Sequence, residues 1–168
     1  MIETKRLQLT PVEPKDLELF QKLFRCPETT KYLPGGQPYD DDYIEQYLEQ
    51  KQEHWLRGFG TFVVVDKTAP SVKLGYAGVE EIDDSNLLDI RYALLPEFQG
   101  QGYALEAARA AIEFTFEREG CAEIFGVAVP ANSPSVSLLE KLGMTRRNDL
   151  RLYPDNSLVT MSISNPNA

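Results

Sequence analysis

The stretch "PEFQGQGYALEA", Pro96 to Ala107, places two glycines between a hydrophobic segment and an alanine-rich one. Glycine weakens regular structure, so Gly100 and Gly102 mark a place where something approaches the main chain. Just upstream, "LLDIRYALL" (Leu87 to Leu95) is nearly all apolar and reads as a strand buried on both faces. Downstream, a helix runs from about Gln101 to Glu119 and stops at Gly120. "EIFGVAVP" (Glu123 to Pro130) reads as another buried strand. A strand–helix–strand crossover makes its two strands parallel and sets the helix N-terminus at the C-terminal end of the first strand. Unpaired N–H groups and the positive end of the helix dipole meet there, and an anion, most naturally a phosphate, fits. The small side chains of Ala104, Ala107, Ala108 and Ala111 let the helix lie close on the sheet.

The residues just after the glycines narrow the kind of phosphate. A P-loop requires Lys and Ser/Thr where Tyr103 and Ala104 stand. A dinucleotide fold requires a third glycine where Leu105 stands, and an acid where the next strand ends in Pro130. A diphosphate bound without magnesium machinery, as in coenzyme A, remains, beside the plainer reading of a glycine turn that only starts a helix.

Working outward, "RLQLTPV" (Arg6 to Val12) alternates and reads as a first strand. "PKDLELFQKLFR" puts Leu17, Phe20, Leu23 and Phe24 on one helical face. "CPETTKYLPGGQPYD" reads as loop. "DDYIEQYLEQKQEHWLR" is a second helix, with Tyr43, Ile44, Tyr47, Leu48 and Trp55 expected inward. "GTFVVVDK" and "VKLGYAGVEEID" are strands joined through Ala69, Pro70 and Ser71. "NSPSVSLLEKLG" is a short helix that Ser133 can cap and Gly143 ends. "DLRLY" and "LVTMSIS" form a closing hairpin around Pro154, Asp155 and Asn156. The expectation is an α/β fold spanning residues 1–168 as one domain, with a mixed sheet of about seven strands and four helices and no linker.

The composition, 42% hydrophobic and 26% charged over 168 residues, is that of a soluble globular chain. The N-terminal stretch lacks the layout of a signal peptide and no apolar run spans a bilayer, so a cytoplasmic protein with no membrane partner is expected. Cys26 and Cys121 are far apart and are expected reduced. His54 is the only histidine, which argues against a His-rich metal site, so no metal is expected, and His54 itself is read as structural or surface. A net charge of −9 speaks against nucleic acid and permits a cationic substrate.

Gln99-Gly100-Gln101-Gly102-Tyr103-Ala104 resembles the Q/R-x-x-G-x-G/A signature of the GNAT superfamily, the acyl-CoA-dependent N-acyltransferases. "IRYALLPEFQGQGYALEA", "PANSPSVSLLEKLGM" and "TKRLQLTPVEPKDLELF" are similar to segments of its ribosomal-protein N-terminal acetyltransferase branch, in the same order along the chain. The resemblance implies a fold with a splayed parallel pair and an N-acetyltransferase. It would move an acetyl group from acetyl-CoA, its co-substrate, to a primary amine by direct attack in a ternary complex. The acceptor would be a protein N-terminus or a small molecule, and the enzyme a possible homodimer. The alternative is a catalytically inactive CoA-binding regulatory module. Carried over, backbone groups near Leu94 and Leu95 would pair with the pantetheine arm. The amides of Gln99, Gly100, Gln101, Gly102, Tyr103 and Ala104 would hold the diphosphate, and Asn132 would contact the cofactor arm; helix capping is the plainer role for Asn132 and Ser135.

Acetyl transfer requires a base for the ammonium, polarisation of the thioester carbonyl by backbone N–H groups, and a proton for the leaving thiolate. Asp89 is the first candidate base, at the start of its strand. Glu80 and Glu81 are rivals of which alternation aims only one at the cleft, and Glu81 joins Asp89 in the candidate set. Many relatives place a tyrosine acid where Leu139 stands here, which leaves Ser135 and Tyr153 as hydroxyl candidates. The acids Asp40, Asp41, Asp42, Glu80, Glu81, Asp83 and Asp84 are expected on the acceptor side, either steering a cation or as plain solvated charge.

Overall fold

The computed structural model describes residues 1–155 and 157–168. Among these residues one sheet contains β1 (Ile2–Glu3), β2 (Leu7–Pro11), β3 (Thr61–Asp66), β4 (Ala69–Glu81), β5 (Leu88–Leu94), β6 (Glu123–Ala128), β7 (Thr145–Arg146) and β8 (Val159–Ser164). The helices are α1 (Leu17–Phe24), α2 (Pro27–Thr30), α3 (Asp41–His54), α4 (Tyr103–Glu119) and α5 (Ser133–Lys141). The spatial order of strands is β1-β2-β3-β4-β5-β6-β8-β7. Every neighbouring pair is antiparallel except β5 and β6. The expected mixed sheet and parallel pair are present; the elements beyond expectation are short, such as the single turn of α2 inside the segment read as loop.

Each face of the sheet carries its own core. On one face α4 and α5 pack through Ala107, Ala108, Ala111, Ile112, Phe116 and Leu139 onto the alternate residues Ala77, Val79, Leu88, Ile90 and Leu94 of β4 and β5. On the other, α1 and α3 pack through Phe20, Leu23, Phe24, Ile44 and Leu48 onto Val63, Val65, Tyr76 and Leu95. Period-two side-chain alternation therefore assigns each strand residue to one core or the other.

Four local readings change. Ala69-Pro70-Ser71 lies inside β4, and Asp66 pairs directly with Ala69, so the turn falls one step earlier. The buried stripe of α3 is Ile44, Leu48 and Lys51, which leaves Tyr43 45% exposed rather than inward. Asn132, not Ser133, caps α5, its side-chain oxygen accepting from the Ser135 N–H. "DLRLY" is not a strand: Arg147 binds Asp149 and Glu123 through its guanidinium, and the chain leaves the sheet after Arg146. Of the expected turn, Asn156 lies outside the described residues.

The parallel pair opens almost at once. Its register consists of Asp89 opposite Phe125. The Leu95 N–H donates to the Leu74 carbonyl at 2.8 Å, so Asp89, Arg91, Ala93 and Leu95 turn their backbone groups toward β4. The backbone groups of Ile90, Tyr92 and Leu94 therefore face the β6 side. Past Ile90 they face a wedge whose open end is the glycine loop.

Candidate active site

The loop at the wide end is shaped by its glycines. Gly100 and Gly102 have φ of 77° and 82°, a region that side chains rarely adopt. A side-chain carbon added to Gly100 would meet no atom within 4 Å, so the loop surface there is open to an incoming group. Gly102 is the N-cap of α4, and the amides of the first helical turn are the donors a diphosphate requires. The chain thus brings Gln99 to Ala104 together at one end of the wedge. Two strand residues behave differently from the expectation. The Leu95 N–H is spent on Leu74, and the Leu94 carbonyl accepts from Gln99 Nε2 at 3.0 Å. Alternation leaves the Tyr92 backbone and the Leu94 N–H facing the wedge, so an arm lying there would pair with those groups and not with Leu95.

The narrow end holds two polar groupings on opposite faces. On the α5 side, the Tyr92 hydroxyl lies 2.6 Å from Ser135 Oγ, and burial raises the Tyr92 phenol above its ordinary range. Asn132 holds the first turn of α5 that carries Ser135. Leu139, noted as a departure from the family's tyrosine, is core. Gly126 on β6 lacks the side-chain carbon that would come within 2.6 Å of Leu139 Cδ2, so α5 packs tightly onto the strand there. Tyr92 was missed as a hydroxyl candidate because a tyrosine inside an apolar strand reads as packing; its place in the buried alternation was the available signal.

On the α3 side, Asp89 is 3% exposed and Glu80 4%. Arg91 Nε donates to Asp89 Oδ1 at 3.0 Å, and its Nη1 donates to Glu80 Oε1 at 3.0 Å. The Tyr153 hydroxyl donates to Asp89 Oδ2. Lys51 pairs with Glu80, whose second oxygen accepts from Thr61 Oγ1 at 2.7 Å. Burial raises the Asp89 carboxyl above its ordinary range, with Arg91 and Tyr153 opposing. Burial also acts to raise Glu80, but Lys51 and Arg91 outweigh it and hold that carboxyl below its ordinary value. Burial beside the Asp89 charge pushes the Tyr153 phenol up. Asp89 and Glu80 thus differ in direction: the Asp89 carboxyl is raised and meets the Tyr153 hydroxyl, whereas Glu80 is held ionised between Lys51 and Arg91.

Glu81 is corrected. Alternation turns it out of this grouping, and its carboxylate pairs with Arg57 at the surface. The expected acidic field is also corrected in part. Asp41 pairs with Arg25, Asp40 caps α3 by accepting from the Tyr43 N–H at 2.8 Å, and Glu80 is matched by two cations. His54 is structural: its Nδ1 meets the Phe59 carbonyl at 3.0 Å, and its Nε2 accepts from the Glu81 N–H at 3.1 Å. Among the described residues no cluster of three or more His, Cys, Asp or Glu is arranged to hold a metal, and no helix is long and apolar enough to cross a membrane.

On the far side of Tyr153 from Asp89 lies a cavity of about 540 Å³ whose lining includes Val127, Tyr153, three arginines, Arg146, Arg147 and Arg151, and the acids Asp149 and Asp155. Val127 stands two residues past Phe125, the β6 partner of Asp89, and Tyr153 of the lining reaches Asp89 through its hydroxyl.

The Acetyltransferase (GNAT) domain family matches residues 6–145. The FsC-acetyl coenzyme A-N(2)-transacetylase of Aspergillus fumigatus is 30% identical over 160 residues, a match covering 86% of this chain and 64% of that protein. A solved acetyltransferase from Agrobacterium tumefaciens has a TM-score of 0.87 at 21% identity, over 96% of this chain and 92% of its own. The spermidine N-acetyltransferase of Vibrio cholerae, solved with CoA and spermine, has a TM-score of 0.77 at 21% identity, over 96% of this chain and 97% of its own. Ribosomal-protein acetyltransferases are among the similar folds as well. A parallel pair that parts after one register position, a glycine loop at its wide end and a family match over most of the chain agree: this chain belongs to the GNAT family and is an acetyl-CoA-dependent N-acetyltransferase.

Proposed function

We propose that the wedge between β5 and β6 holds the acetyl-bearing arm of acetyl-CoA, with its diphosphate on the amides of Gln99 to Ala104, and that a primary amine attacks from the α3 face. The observation that carries this is the single register position of the parallel pair, Asp89 opposite Phe125, which leaves one edge of β5 unpaired up to the glycine loop. The pantetheine amides complete that edge as a partial strand, and the unpaired N–H groups of β5 polarise the thioester carbonyl.

The amine nitrogen forms a bond to the acetyl carbon while the carbon–sulfur bond breaks and its electron pair stays on sulfur. Asp89 accepts the proton lost from the amine, which takes the place of the Tyr153 hydroxyl on Oδ2. Tyr92 and Ser135, hydrogen-bonded to each other at the α5 side, supply the proton to the thiolate. The acceptor amine enters through the cavity lined by Arg147, Arg151 and Tyr153. A primary amine, on a small molecule or a protein N-terminus, is the acceptor class; the ribosomal-protein branch rests on motif similarity together with similar folds of that activity.

The test is a panel of amines assayed for free thiol release from acetyl-CoA, with CoA-induced thermal stabilisation measured beside it. Ligand at a hundredfold excess over its dissociation constant adds about 2.7 kcal/mol. Gly102→Val, which adds a side chain at positive φ on the loop surface, is expected to abolish that stabilisation. A folded Gly102→Val protein that binds CoA as tightly as the native chain would overturn the placement of the diphosphate.

A further inference from the structure

Arg6 lies outside the glycine loop in sequence, just before β2, yet its side chain is part of that loop. Nη1 donates to the Gln101 carbonyl at 2.9 Å, and Nε donates to Glu106 Oε1 at 2.7 Å. Its backbone N–H donates to Glu106 Oε2 at 2.9 Å. The guanidinium lies over the Tyr103 ring, 4.2 Å from the centroid. A side-chain carbon added to Gly102 would come to 3.3 Å from Nη2, so the edge of the guanidinium borders the surface that the glycine keeps bare.

Glu106 gives this arrangement its meaning. It sits in the first turn of α4, where the helix dipole favours an anion. A free carboxylate there would repel a diphosphate. Thr4 Oγ1 and Arg6 together occupy it, and their hydrogen bonds and the Arg6 charge outweigh its partial burial, holding the Glu106 carboxyl below its ordinary range. Arginine carries five N–H donors in a planar fork. With Nε on Glu106 and Nη1 on Gln101, the Nη2 edge is left toward the loop.

We propose that Arg6 is a diphosphate-recognition residue of the acetyl-CoA site, fixed against the glycine loop by Glu106, Gln101 and Tyr103 so that its Nη2 edge meets the phosphate oxygens. This rests on the placement of acetyl-CoA in the wedge between β5 and β6. The carboxylate and the ring hold the fork before the ligand arrives, so little side-chain freedom is lost on binding. Lysine would keep the charge and lose the fork. The consequence is donor selectivity: Arg6 acts on acyl donors that carry a diphosphate and is silent toward a thioester that lacks one.

The experiment compares the native chain with Arg6→Gln and Arg6→Lys, using acetyl-CoA and S-acetyl-N-acetylcysteamine as donors to the same amine and calorimetry for CoA. Arg6→Gln is expected to raise the CoA dissociation constant and the KM for acetyl-CoA by about tenfold or more, the scale of a charge-assisted hydrogen bond. Its kcat at saturating acetyl-CoA and its kcat/KM for the truncated thioester are expected to stay native. Arg6→Lys, which keeps the charge and serves if Arg6→Gln does not fold, is expected to fall between. An equal loss with both donors would make Arg6 a scaffold residue and overturn the proposal, as would native CoA affinity in both variants. A native chain that does not bind CoA would instead overturn the acetyl-CoA placement itself, and the proposal with it.

Discussion

The two faces of the wedge solve opposite problems. The α4 face, where we place the diphosphate, offers mainly backbone: glycine N–H groups, a helix N-terminus and a loop surface open at Gly100. The α3 face, where we place the amine and its deprotonation, is built instead from buried side-chain charge. Lys51 on α3, Glu80 on β4, and Asp89 and Arg91 on β5 cancel one another, with Tyr153 from the C-terminal segment closing the group. A backbone site is specified by a short run of sequence. A compensated charge cluster needs four elements to converge, and each member alone looks like surface charge or packing.

The contrast is broken most directly at Asp89. Asp89→Asn keeps the shape but removes the proton acceptor, and kcat is expected to fall by roughly two to four orders of magnitude, the range of general-base catalysis. CoA affinity, which belongs to the other face, is expected to stay within about twofold, a change of under about half a kcal/mol. Glu81→Gln, at the surface pair with Arg57, is expected to leave kcat native. A native rate in Asp89→Asn, measured by thiol release at neutral pH, would place proton removal on water or on another group.

Stability separates the faces next. Lys51 is 5% exposed and Glu80 4%. Lys51→Met removes one partner and strands a buried carboxylate beside Arg91. A loss of about 3–5 kcal/mol is expected from urea unfolding, as for other broken buried pairs. Lys51→Met combined with Glu80→Gln is expected to recover part of it, because no unmatched charge is added. No loss in Lys51→Met would mean that Arg91 alone neutralises both carboxylates.

The smallest effect is a pH dependence near neutrality that His54, at the end of α3, carries. Burial lowers the His54 pKa below its ordinary 6.5, opposed by Glu80 and by the Phe59 contact. Because the folded value is the lower one, the unfolded chain takes up the proton first as pH falls. The stability from neutral His54 is therefore present above about pH 6.5 and is lost progressively as pH drops from there toward the folded value. Urea midpoints of the native chain and His54→Gln, taken at intervals between about pH 5 and 7.5, check it: the slope below about 6.5 is expected to be shallower in the variant. Parallel slopes would mean that His54 titrates alike in both states.

Sequence order was most informative where structure is local. Gly100, Gly102 and the alanines of α4 announced the loop and the close helix because backbone conformation and small size act within a few residues. The strand–helix–strand run likewise announced the parallel pair, since a crossover permits one handed arrangement. The C-terminal hairpin failed because Arg147 spends its guanidinium on Glu123 and Asp149, a choice that depends on a strand more than twenty residues upstream. Lys51 in the buried stripe of α3 was equally hidden: its partner Glu80 is brought to it by β4.

The sequence by itself determined the mixed α/β fold, the parallel pair flanking α4, and the glycine loop at the start of that helix. Only the tertiary structure decided which glutamate enters the buried charge cluster, because one step along β4 separates Glu80 within it from Glu81 at the surface. It alone joined Tyr92 to Ser135, Tyr153 to Asp89 and Arg6 to the loop. Backbone geometry and helix polarity are properties of neighbours along the chain, whereas charge compensation and hydroxyl pairing are properties of neighbours in space.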